Sequence, residues 1–189
     1  MKLHYKGKYN LDPDSLPCEP HKPGAVPFKE AKDSKTLGTI ANVISFLILI
    51  PLLIVAYIRC KPGPLIICLG CLLPLLTLLP HELLHAVCFK EDVYLYTNLK
   101  QGMLFVVGTE TMSKGRYVFM SLFPNIIFGL IPFILAMIFP SLALLGFFGA
   151  FCLSMGAGDY YNVFNALTQM PKGSRTYLHK FNSFWYMPE

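Results

Sequence analysis

The sequence predicts an all-α polytopic membrane protein with four transmembrane helices and a short β-hairpin between the second and the third. Three observations carry that prediction. Hydrophobic residues make up 54% of the 189-residue chain and charged residues only 14%, against about 25% charged in an ordinary soluble domain; mean hydropathy is +0.50. The apolar residues fall into four runs, 37–58, 64–89, 117–139 and 141–167, each longer than the roughly 20 residues needed to cross the hydrocarbon core. The basic residues lie between these runs, and they are sorted to one side of them.

The chain begins with a polar region, 1–36, that holds five prolines and seven lysines and shows little helical periodicity. It reads as an irregular arm in which only EAKDSK, directly before the first apolar run, has the look of a helix start. The first run, LGTIANVISFLILIPLLIVAYI, carries no charge. The second contains PHELLHAVCF near its end. Between runs two and three, VYLYTNL and GMLFVVGTE are rich in β-branched and aromatic residues around Lys100, Gln101 and Gly102, which is the pattern of a hairpin over 91–116. Run four carries Gly146, Ala150, Ser154 and Gly158 at four-residue spacing, a stripe that lets membrane helices approach closely. Residues 168–189 form a polar, aromatic tail.

Four crossings put both termini on one side. That side holds seven Lys or Arg in the N-terminal region, four over 90–116 and three in the tail, against Arg59 and Lys61 on the other. The positive-inside rule makes it the cytoplasmic side. The net charge of +5 is therefore a topology signal spread over loops rather than a face for nucleic acid. Cys68 and Cys71 have metal-ligand spacing in CLGC but no second pair to complete a site, and most of the six cysteines sit inside apolar runs, where a thiol behaves as a small hydrophobe.

Within the second run, HELLH places His81 and His85 one helical turn apart and Glu82 beside them. At i, i+4 both imidazoles face one way and can hold one Zn²⁺, with Glu82 placed as general base for a metal-activated water. A structural pair of histidines bonded within a bundle is the competing reading, but ionisable groups in a membrane are expensive and usually functional. A catalytic zinc takes three protein ligands and keeps one position open. AVCFKE follows HELLH, so the third histidine of HExxHxxGxxH enzymes is absent. Asp159 is the one charged residue of run four and the leading third ligand; Glu110 is the alternative. His81, His85, Asp159 and Asn125 all lie four to eight residues from the same ends of their runs, about 6–12 Å deep at ~1.5 Å per residue. Asn125 is a candidate for binding substrate or an oxyanion, and Asn162, one turn past Asp159, for supporting the ligands. Pro80 is placed to kink the helix and admit water.

HELLHA in one span, Gly158-Asp159 in a later one, and the closing PKGSRTYLHKF resemble the family of small bacterial membrane proteins described as zincin peptidases, itself similar to intramembrane metalloproteases of the site-2 protease class. The resemblance runs from about residue 37 to 185. It implies a core of spans two, three and four, with His81, His85 and Asp159 as zinc ligands, Glu82 as general base, and a peptide or membrane-protein substrate met at the bacterial cell membrane. The site-2 pattern has a glycine after its aspartate, whereas here Gly158 precedes Asp159 and Tyr160 follows it. The competing function is a non-catalytic zinc protein with a closed fourth ligand, Cys88 or Asn125. Metal transport is disfavoured, since the outer halves of the spans carry no ionisable residue.

Overall fold

A computed structural model describes residues 1–188. The helices follow the apolar runs. Helix α1 (Ser34–Cys60) starts at Asp33, whose carboxylate accepts the Thr36 N–H at 2.9 Å, so EAKDSK does open a helix. The second run is helical throughout Pro64–Ala86, as α2 (Pro64–Leu72), a tighter 3₁₀ stretch (Leu73–Thr77) and α3 (Leu78–Ala86). Pro80 lies in the first turn of α3, where a missing N–H breaks little; the irregularity sits upstream of it. The third run forms α4 (Lys114–Pro124), a π-helical turn (Asn125–Leu130) and α5 (Ile131–Ile138). These three helices are long and apolar enough to cross a membrane.

The fourth run is not one straight span. It is α6 (Ala143–Met155) and α7 (Ala157–Gln169), bent by 53° at Gly156. A β-carbon on Gly156 would stand 1.8 Å from Asn125 Oδ1, so the break is where the third and fourth runs come closest near the histidines. Deeper in the bundle, a β-carbon on Gly149 would lie 2.7 Å from the Gly129 carbonyl oxygen. The small residues thus bring α6 against the π-turn, although Gly158 meets nothing within 4 Å and takes no part in that contact. Ala56, Phe133, Phe147 and Ala150 form the buried core of this half.

The all-α expectation needs correction, because the polar segments fold into two sheets. The hairpin between runs two and three is present as β3 (Val93–Asn98) and β4 (Met103–Val107), turning through Gly102 at φ 64°. The arm expected to be irregular contributes β1 (Leu3–Lys8), parallel to β3, and β2 (Val26–Pro27). The tail forms a second hairpin, β6 (Arg175–His179) with β7 (Asn182–Tyr186), flanked by β2 and β5 (Met112–Ser113). Tyr9 is 1% exposed and meets Phe105 and Tyr96 edge-on at 5.4 and 6.1 Å, which ties the arm to the first hairpin.

These strands join the chain just before α1 and α4 and just after α3 and α7. All four helix ends lie at one end of the bundle, so both sheets cap that end. In the first sheet the order is β1-β3-β4, which leaves the outer edge of β4 without a strand partner.

Candidate metal centre

Helix α3 presents His81 and His85 from consecutive turns, and the start of α7 presents Asp159 just past the Gly156 break. His81 Nε2 is 3.2 Å from Asp159 Oδ2, and His85 Nε2 is 3.2 Å from Asp159 Oδ1. One ligand atom from each of the three residues lies within 4.8 Å of the other two, and no other group of three or more such residues does so among the described residues. Two ligands held at about 2.05 Å in a tetrahedral shell stand about 3.3 Å apart, so these separations suit a zinc-sized ion.

The hydrogen bonds around the triad also suit a cation. His85 Nδ1 is 2.9 Å from the Met120 carbonyl oxygen. A carbonyl only accepts, so Nδ1 carries the proton, and in the neutral ring Nε2 is the nitrogen left to bind a cation. An imidazole whose second nitrogen donates to a carbonyl is the usual arrangement of a metal ligand. Asn125 Nδ2 donates to Asp159 Oδ2 at 2.7 Å and to the Ser121 carbonyl at 3.1 Å. The π-turn that begins at Asn125 widens the helix there, a distortion common at functional sites.

Glu82, next to His81 on α3, lines the same cavity as His85 and Asp159. Its Oε2 accepts the Val106 N–H at 2.9 Å. Val106 belongs to β4, so the open strand edge passes directly over the glutamate. That cavity has a volume of about 400 Å³ and reaches from the triad up between the two sheets.

Of the residues the sequence singled out, the structure brings His81, His85 and Asp159 together, with Asn125 bonded to Asp159 and Glu82 in the same cavity. Asn162 lines the cavity but makes no hydrogen bond to the triad. Glu110, the alternative ligand, is engaged elsewhere: it pairs with Arg116 and accepts the Lys90 and Glu91 N–H groups at 2.6 and 3.1 Å. The Cys88 thiol donates to the Leu84 carbonyl at 3.4 Å, away from the triad. Cys68 and Cys71 are free thiols. Sequence reasoning missed the Met120 carbonyl and the Val106 N–H, both backbone groups that no residue type announces. It also missed Glu30, which sits in the cavity wall.

A family model described as "Putative zincin peptidase" matches residues 74–175. The chain belongs to that family. The matched stretch begins in the 3₁₀ turn before α3 and ends at the first residue of β6, so it takes in His81, Glu82, His85, Asn125 and Asp159. No curated protein and no solved structure matches the chain.

Proposed function

We propose that this zincin-family protein is a zinc-dependent peptidase acting within or beside the bacterial cell membrane, of the site-2 protease kind. The observation that carries the reading is the His81–His85–Asp159 cluster, three ligands with no fourth among the described residues, and Glu82 on the wall of the cavity that opens onto it. Three ligands leave a position for water, as catalytic zinc requires. Zinc bound there supplies a Lewis acid that polarises a carbonyl and lowers the pKa of water toward ~7.

The chain's own residues would do the rest. Glu82 takes the water proton on a carboxylate oxygen and returns it to the departing amine, and the Val106 N–H holds that carboxylate in place. The Met120 carbonyl fixes the His85 tautomer, and the Asn125 amide orients Asp159. The free edge of β4 offers alternate N–H and C=O groups to an extended peptide, which would pair as an added strand. The bilayer surrounds the apolar faces of α1, α2 and α5. Both termini and both sheets lie on the cytoplasmic side by the positive-inside rule, so a substrate is a membrane-embedded or membrane-adjacent segment met near that surface. Nucleic acid has no part in this reading.

Zinc per chain in detergent-purified protein, compared between wild type and Asp159→Ala, tests the centre. Near-stoichiometric zinc that falls in the variant is expected; zinc unchanged in Asp159→Ala removes the third ligand from the reading. Glu82→Gln should keep the metal and lose cleavage. The same variant separates out a non-catalytic zinc protein, in which Glu82→Gln would change nothing measurable.

A further inference from the structure

The wall of the cavity holds an acid that the chemistry above does not use. Glu30 lies in the segment between β2 and α1, and that segment is pinned to α7 on both sides of it. The Lys29 N–H donates to Gln169 Oε1 at 2.7 Å, and the Ala31 N–H donates to Tyr161 Oη at 2.9 Å. Because α7 also carries Asp159, Glu30 is held at a set position relative to the metal ligands. Only one of its carboxylate oxygens is engaged: Oε1 accepts the Ser183 N–H at 2.6 Å and the Asn182 amide at 3.3 Å. No ion pair reaches Glu30 among the described residues; Lys180, which also lines the cavity, is paired with Asp14 at 2.6 Å.

Burial pushes the Glu30 carboxyl above its usual range, against the pull of the Ser183 and Asn182 hydrogen bonds, and a cation beside it would offset that cost. The cavity that Glu30 shares with the metal centre has a largely apolar lining, with Met103, Phe105, Val107 and Met112 among its residues. A ligand with an aliphatic stem and a cationic end matches such a wall with an acid set in it.

We propose that Glu30 is a specificity determinant of this peptidase, selecting a lysine or arginine beside the apolar segment of its peptide substrate. The inference rests on the peptidase reading. It fits the expected substrates as well, because membrane segments carry their Lys and Arg on the cytoplasmic flank, the side on which that reading puts the cavity. Glu30 touches the substrate side chain and no reacting atom, so its effect falls on binding and on KM rather than on the chemical step.

The test is a binding measurement on zinc-loaded Glu82→Gln protein, which holds peptide without turnover. Two fluorescent synthetic peptides share one ten-residue apolar sequence and end in either two lysines or two glutamines. The lysine peptide is expected to bind about tenfold tighter, as for one hydrogen bond to a charged partner. Adding Glu30→Gln, whose amide oxygen still accepts the Ser183 N–H, should remove that preference and leave the glutamine peptide unaffected. A preference that survives Glu30→Gln overturns the proposal. So does equal binding of the two peptides with Glu30 present, whatever becomes of the variant. Failure of both peptides to bind either protein overturns the peptidase reading instead, and with it this one.

Discussion

Asn125 and Asp159, on different helices, are joined by a 2.7 Å hydrogen bond from the asparagine amide to carboxylate Oδ2, and the glycine between α6 and α7 exists to leave room for it. Asp159 Oδ2 is also the oxygen 3.2 Å from His81. One amide therefore sets the orientation of the carboxylate that completes the candidate metal centre. Asn125→Ala should lower zinc affinity about 10–100-fold, the usual effect of losing a partner behind a ligand, as read by competition with a chromogenic chelator. Gly156→Ala should reproduce much of that loss. Its β-carbon would stand 1.8 Å from Asn125 Oδ1, and a buried amide can move away only by giving up Asp159.

If the triad holds zinc, metal and fold are linked. A ligand that binds only the folded state at a hundred times its Kd adds about 2.7 kcal/mol of stability. Thermal unfolding in detergent should rise with zinc for the wild type and fall with a chelator. His85→Ala and Asp159→Ala should respond to neither. A wild type indifferent to zinc would leave HELLH as a structural histidine pair.

The contact between Val106 and Glu82 links the strand edge to the proposed base. The Val106 N–H points away from β3, so proline there removes no bond within the sheet, and edge strands accept proline. Val106→Pro should keep zinc and fold while kcat/KM falls about tenfold or more, since the glutamate loses its anchor. Unchanged cleavage would show that the N–H does not position Glu82.

What the sequence revealed and what it hid follow one physical line. Helices α1 to α7 and the positions of His81 and His85 rest on local signals: apolar runs of membrane length and an i, i+4 spacing. Asp159 was found by elimination, being the lone carboxylate of its run. The hairpin of the first sheet was legible, but β1 and β2 were not, because β1 pairs with β3 some 90 residues away and β2 with β7 further still; a proline-rich arm shows no alternation of its own. The bend at Gly156 and the π-turn at Asn125 depend on each other across helices, and neither sequence segment carries the information alone. Glu30 read only as the first residue of the helix-start segment EAKDSK, and only the fold carries it into the cavity.

Glu110 offers a prediction about stability rather than catalysis. Burial acts to raise its pKa, but the Arg116 guanidinium and the Lys90 and Glu91 N–H groups outweigh it and hold the carboxyl below its ordinary range. Arg116 also donates to the Cys88 carbonyl at 2.6 Å, so the pair fastens the turn after α3 to the start of α4. A carboxyl depressed in the folded state contributes stability above its unfolded pKa of about 4.3 and loses it as pH falls through the lower folded value. Glu110→Gln leaves Arg116 without its counter-charge and should cost about 2–3 kcal/mol at neutral pH. The gap between variant and wild type should narrow as pH drops below about 4, where the wild-type carboxylate is itself lost. Thermal unfolding of both proteins at pH 7 and at about pH 3 measures this directly. A gap of constant size across that range would mean that the Glu110 charge contributes nothing and that shape alone holds the turn.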